Sequence, residues 1–201
     1  MIKNVIFDVG NVLVAFCWEK LFQELGFTGE VFEAIADATV RTNEWNEFDR
    51  GVMSDEEILS VFIKKAPEYE EQITLFFQNV GRTISQYNYS REFIRALEQK
   101  GYRTYILSNF PRRTYQQGID ELSFVEDVSG AIFSYEVQVV KPEKEIYQLL
   151  LEKYELDATE CVFLDDKREN LVTANQLGMA TIQFQSFEQA KEELRSLGVE
   201  V

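Results

Sequence analysis

Four short polar segments each follow a run of apolar residues. Asp8-Val9-Gly10-Asn11 comes after Val5-Ile6-Phe7, Ser108-Asn109 after Thr104–Leu107, Lys141-Pro142 shortly beyond Ala131–Phe133, and Asp165-Asp166 after Cys161–Leu164. Between them they supply carboxylates, a hydroxyl and an ammonium, the groups needed for phosphoryl transfer through a carboxylate. Asp8 could attack phosphorus in line and form an aspartyl-phosphate that water then hydrolyses. Asp8 and Asp165 would share a hard cation, without which a phosphate dianion would meet only negative charge. Ser108, with its neighbour Asn109, would hydrogen-bond phosphate oxygens with help from a following helix N-terminus, and Lys141 would bring a fixed positive charge to both phosphate and Asp8. Singly, each residue also suits an ordinary structural use. Asp8 fits a turn, Asp165-Asp166 fits the cap of a helix beginning near Lys167, Lys141 fits a solvated helix start, and Ser108 and Asn109 are common turn formers. The weight lies in their joint placement at the ends of successive apolar runs.

The elements that must carry these residues follow from periodicity. Those four runs and Thr181–Phe184 are short, rich in β-branched and aromatic residues, and not alternating, as expected of strands buried on both faces. Helical patterns separate the last four. Tyr115, Ile119 and Leu122 predict one helix; Ile146, Leu149, Leu150 and Tyr154 predict another, started by Pro142. Gly178 closes a third, and Ser186 with Gln189 makes a capping box for the last. Alternating strands and helices predict an α/β fold, a Rossmann-like parallel sheet covered on both faces, with ligands bound beyond the carboxyl ends of its strands.

From about Trp18 to Tyr87 that alternation stops. Ile73, Phe76, Phe77 and Val80 keep helical spacing, and Ser54 with Glu57 forms a capping box ahead of Ile58, Val61 and Phe62. This predicts an inserted helical subdomain without strands: residues 16–87 as insertion, 1–15 and 88–201 as core.

Composition narrows the chemistry. The 201 residues include 35 acidic and 20 basic side chains, a formal charge of −15, so nucleic acid is not an expected partner. There is no His, which removes serine–histidine and zinc–histidine chemistry. Cys17 and Cys161, the only cysteines, do not form a disulfide framework, and neither a signal peptide nor a membrane-spanning stretch is recognisable. The expectation is a cytoplasmic protein acting on a small phosphorylated metabolite, with its oligomeric state open.

Phe7–Leu13, Leu107-Ser108-Asn109, Lys141-Pro142 and Phe163–Asp166 with Asn170 resemble, in order, the four motifs of the haloacid dehalogenase superfamily, over essentially the whole chain. The form Asp8-Val9-Gly10-Asn11-Val12 is similar to the subgroup that includes alpha-D-glucose-1-phosphate phosphatase. The resemblance implies a magnesium-dependent phosphatase whose helical cap closes over the substrate. Asp8 is then nucleophile and metal ligand, Gly10 a ligand through its carbonyl, Asp165 the remaining protein ligand, and Asp166 the residue that orients metal-bound water. In the cap, Trp45, Asp49 and Arg50, next to Gly51, are candidates to read the substrate.

The departure is at Gly10, where the phosphatase pattern has a second Asp that protonates the leaving group and later activates water. No acid replaces it in Ala15-Phe16-Cys17-Trp18, and Cys17 reads as a small apolar residue before it reads as a substitute acid. General acid–base help contributes ~10²- to 10⁴-fold, so its loss predicts a preference for good leaving groups. Other readings are a weak or regulatory phosphate-binding relative, a phospho-receiver module, a metal-independent 2-haloacid dehalogenase and a phosphomutase. A receiver places its acidic pair on the first strand; a phosphomutase relies on the group missing at Gly10.

Overall fold

In the computed structural model, which describes residues 1–201, every apolar run becomes a strand. β1 (Asn4–Phe7), β4 (Arg103–Ser108), β5 (Gly130–Phe133), β6 (Cys161–Asp165) and β7 (Ala180–Gln183) form one parallel sheet in the order β5-β4-β1-β6-β7. A second pair, β2 (Val14–Phe16) and β3 (Ile84–Gln86), is antiparallel. The helices are α1 (Trp18–Glu24), α2 (Gly29–Ala38), α3 (Glu44–Arg50), α4 (Asp55–Lys65), α5 (Glu70–Gln78), α6 (Ser90–Gln99), α7 (Arg112–Gln117), α8 (Ser134–Val137), α9 (Lys144–Lys153), α10 (Arg168–Gln176) and α11 (Phe187–Ser196).

The sheet is apolar on both faces because its strands are. Val5, Phe7, Ile106, Val162, Leu164 and Ile182 point to one side, where Phe93 and Leu97 of α6 and Ala190 and Leu194 of α11 cover them. Ile6, Tyr105, Leu107 and Phe163 point to the other, against Ile146 and Leu150 of α9 and Ala174 of α10. The chain runs from β1 out through β4 to β5, then crosses back to β6 and β7. The reversal leaves a crevice beyond the carboxyl ends of β1, β4 and β6, where loops diverge instead of covering the sheet.

The stretch α1–α5 has its own apolar cluster, with Phe22, Ile35, Phe48, Phe62, Ile73 and Phe76 at its centre. Both anticipated capping boxes are present, Ser54 with Glu57 on α4 and Ser186 with Gln189 on α11. The helical stretch is not free of strand at its ends: Val14–Phe16 pairs with Ile84–Gln86 where the chain leaves and re-enters the core. Three residues are too few to show a period of two, so these strands have no signature in the sequence.

Two helix expectations need correction. The helix through Tyr115, Ile119 and Leu122 breaks at Gly118, after which Ile119–Asp127 continues as 3₁₀ turns. The break lies where α7 presses on the segment before β3; a Cβ on Gly118 would come within 2.7 Å of Ile84 Cδ1, and one on Gly81 within 2.3 Å of Gln117 Cβ. Ile119 is therefore exposed while Leu122 stays buried. Pro142 does not start α9, which begins at Lys144 after an extended Glu143; the Lys141–Pro142 peptide is cis.

Candidate active site

Sheet register places the first carboxylate. The Asp8 amide donates to the Leu164 carbonyl at 2.9 Å, one residue past the Phe7–Leu164 pair, so Asp8 extends β1 beside the end of β6. Asp165 is the last residue of β6 and Ser108 the last of β4, on either side of it. Adjacent parallel strands thus bring two acids and a hydroxyl to one edge with no help from side-chain packing.

Their polar atoms form a connected set. Ser108 Oγ donates to Asp8 Oδ1 at 2.8 Å, and Lys141 Nζ lies 2.9 Å from the same oxygen and 2.6 Å from Asp165 Oδ2. Asp165 Oδ1 accepts from the Lys167 amide at 2.8 Å, and the Asn170 side-chain amide reaches both Asp165 oxygens at 2.9–3.0 Å. Asn11, in the left-handed region at φ 57°, donates from Nδ2 to Asp166 Oδ2 at 3.1 Å. Asp8, Ser108, Lys141 and Asp165 are all buried. Burial therefore raises the Asp8 pKa, and Asp165 adds to this, while Lys141 opposes it. For Lys141, burial works against the ammonium, but the two carboxylates outweigh it and its pKa rises. The lysine stays charged because both neighbours are anions.

The donor set also suits a hard divalent cation. Ligand oxygens of Asp8, Asp165 and Asp166 lie within 4.8 Å of one another. Asn170, which lines the same cavity, has a buried Oδ1 with no hydrogen-bond partner. Oxygen ligands with no nitrogen or sulfur are what magnesium takes. Gly10 also lines the cavity, and a Cβ there would meet nothing within 4 Å, so packing does not require glycine.

The cavity in front of this set has a volume of about 230 Å³. Asp8, Lys141 and Asp166 form its floor, and its opposite wall comes from the helical stretch, through Trp45, Asn46 and Asp49. Of the three candidates there, Trp45 and Asp49 face the cavity, and Arg50 does not. Its guanidinium pairs with both oxygens of Glu143 at 2.7 and 3.0 Å, which ties α3 to the turn after Lys141. Asn109 also departs from its expected role. Its side chain binds the Lys141 main chain at both ends, 2.7 Å to the amide and 2.9 Å to the carbonyl, so it holds Lys141 in place instead of offering that amide to phosphate. Cys17 donates to the Thr83 carbonyl at 3.3 Å and is not in the cavity wall. The sequence offers no role for Asn11, although it lies within the first motif, for Lys167, which follows the acidic pair, or for Thr114, whose buried hydroxyl has no partner.

Comparison with known proteins identifies a family and relatives that span most of the chain. The model for "haloacid dehalogenase-like hydrolase" matches residues 2–178. A sesquiterpene phosphatase of Aspergillus oryzae is 24% identical over 97% of this chain and 96% of its own. A D-ribitol-5-phosphate phosphatase of Bacteroides thetaiotaomicron is 26% identical over 96% of this chain and 97% of its own. Among solved structures, a HAD family enzyme of Bacteroides thetaiotaomicron in complex with magnesium and inorganic phosphate superposes with a TM-score of 0.70 at 22% identity, covering 93% of this chain and 96% of that one.

Proposed function

The chain belongs to the haloacid dehalogenase-like hydrolases, and on that premise we propose that it is a magnesium-dependent phosphatase acting on a small phosphorylated metabolite, such as a sugar phosphate, with Asp8 as nucleophile. The observation that carries this reading is the single buried chain Ser108–Asp8–Lys141–Asp165 at the sheet edge. Both protein contacts to the Asp8 carboxylate go to Oδ1, and Oδ2 has no protein partner. Oδ2 is therefore the atom placed to attack phosphorus, and the aspartyl-phosphate formed on it is then hydrolysed.

A bound magnesium ion, held by Asp8, Asp165 and the Gly10 carbonyl, would supply the positive charge that lets a phosphate dianion approach these carboxylates. Lys141 stabilises charge on the phosphoryl oxygens, and Asn109 keeps it from drifting by fixing its main chain. Ser108 orients Asp8 and then donates to a phosphoryl oxygen. Asn11 holds Asp166 toward the cation site. Residues 1–15 and 88–201 serve as core and 16–87 as a cap over the phosphate, with the β2–β3 ribbon as its neck. Trp45 offers a ring face, and Asn46 a side-chain amide, for the part of the substrate beyond phosphate.

The acidic cluster argues against metal-independent removal of halide, because a haloacid carboxylate would meet Asp8, Asp165 and Asp166, and Lys141 is already paired with two of them. The test is phosphate release from sugar and aryl phosphates, with magnesium and with chelator. Release that requires magnesium is expected. Phosphate binding without release from any substrate would instead favour a regulatory, non-catalytic relative, and 2-haloacid turnover that ignores chelator would favour the dehalogenase.

A further inference from the structure

We propose that Asp49, on the helical wall of the cavity, is the general acid and base missing at Gly10. The inference rests on the phosphatase reading.

The cavity contains few groups able to move a proton. It has no His, Cys, Glu or Tyr in its wall; its titratable side chains are Asp8, Asp49, Asp166, Arg41, Lys141 and Lys167. Asp8 and Asp166 belong to the acidic cluster, and Lys141 is held between two carboxylates. Arg41 is paired with Glu33 and Asp37 and stays charged. Asp49 remains, with Lys167 at the rim. Its side chain is buried, yet no protein group donates a hydrogen bond to its carboxylate. A buried carboxylate without a partner is unfavourable for folding, which points to use by something that enters the cavity.

The charged groups that face it are Lys167, Asp8 and Lys141, and burial dominates them, raising its pKa to about 7. It is therefore poised to give and take a proton near neutrality. Its main chain is held firmly. Ser134 Oγ donates to the Asp49 carbonyl at 2.5 Å, Gly51 ends α3 in the left-handed region with Tyr135 so close that a Cβ would lie 2.8 Å from Tyr135 Cβ, and Arg50 clamps Glu143. Three contacts from one side of the core hold a residue of the helical stretch against the cavity that Asp8 also lines.

The step balances as follows. Asp8 Oδ2 bonds to phosphorus, the bond from phosphorus to the leaving oxygen breaks with its electron pair on that oxygen, and the Asp49 carboxyl protonates it to give the free alcohol. Water then attacks the aspartyl-phosphate and gives a proton to the Asp49 carboxylate. The bond from phosphorus to Asp8 breaks, and its electron pair returns to the carboxylate.

This reverses the preference for good leaving groups expected from Gly10 alone. In the native chain with magnesium, kcat/KM should differ little between glycerol phosphate, a poor leaving group, and nitrophenyl phosphate, a good one. In Asp49→Asn, turnover of glycerol phosphate should fall by ~10²- to 10⁴-fold, and the first step with nitrophenyl phosphate by less than ~10-fold. Intact-mass measurement should find the phosphoenzyme accumulating, and Asp49→Glu should recover part of the glycerol phosphate rate. Without metal at pH 8, Asp49→Asn should melt no lower than the native chain.

Equal losses for both esters in the first step, no loss for either, a steep leaving-group dependence in the native chain, or a destabilised Asp49→Asn would overturn the role of Asp49 while leaving the phosphatase intact. Failure of the native chain to release phosphate from either ester would overturn both.

Discussion

The two walls of the cavity are built by different means. The floor is an extension of the sheet: Asp8, Ser108 and Asp165 occupy strand ends whose spacing follows from parallel register, and their side chains are bonded to one another. The facing wall belongs to α3, whose orientation depends on packing among Trp45, Phe48, Phe62 and Phe77 and on contacts to α8. Most polar groups of the floor are bonded within the protein, Asp8 Oδ2 and Asn170 Oδ1 excepted, whereas the whole Asp49 carboxylate on the facing wall lacks a protein donor. A site assembled this way keeps charge stabilisation on the sheet edge and places proton transfer on the helical wall.

Disabling the floor should have the largest consequence. Asp8→Asn is expected to reduce phosphate release by on the order of 10⁴- to 10⁶-fold, as for other nucleophile deletions, and to give no phosphoenzyme by mass. Activity within tenfold of native would place the nucleophile elsewhere. Lys141→Met should also unsettle the fold, because it leaves Asp8 and Asp165 buried without their shared cation. Removing one partner of a buried pair destabilises by about 3–5 kcal/mol. Urea unfolding with chelator should show a loss of that order, and magnesium should restore part of it.

For the facing wall, the contrast appears in pH dependence. The Asp49 carboxyl is raised from 3.8 to about 7, chiefly by burial. Below about pH 4 it is protonated in both folded and unfolded chains, and its contribution to stability is fully present. Between about pH 4 and pH 7 only the unfolded chain ionises it, so that contribution is lost progressively, and above about 7, where both chains ionise it, the loss is complete. Measured without metal, the native chain should therefore lose stability relative to Asp49→Asn between about pH 4 and pH 7, by on the order of a few kcal/mol. Parallel stability curves for the two chains would remove the buried carboxylate from the account.

Smaller effects separate the walls further. Arg50→Ala removes a partly exposed pair with Glu143, so stability should change by less than ~1 kcal/mol. Because the pair joins α3 to the turn after Lys141, KM should rise several-fold with kcat changed less; equal changes in both would mean that the clamp acts on the chemistry. Ser54→Ala breaks the capping box of α4. It should lower stability by ~1 kcal/mol and leave turnover unaltered, which chemical denaturation alongside an initial-rate assay can check.

Much of the floor was legible because its cause is local. An apolar run that ends in Asp, Ser or an Asp pair places those residues at a strand terminus, and parallel neighbours align their termini. Asn109 misled for a related reason: its position was right, but which atoms its amide would meet depends on the loop before Pro142 curling back to it. The helix broken at Gly118 and the short β2–β3 ribbon were hidden because each is imposed by a distant segment.

The parallel sheet, its helical covering, the two capping boxes and the polar edge at Asp8, Ser108, Lys141 and Asp165 are thus written in the amino-acid sequence, because each rests on a period, a cap or a strand end within a few residues. It took the tertiary structure to place Asp49 in the wall of the cavity that Asp8 lines, while its neighbour Arg50 turns away to Glu143. Adjacent positions on α3 point in different directions, and which of them meets the core is set by packing across the aromatic cluster and against α8, contacts made between residues far apart in the chain.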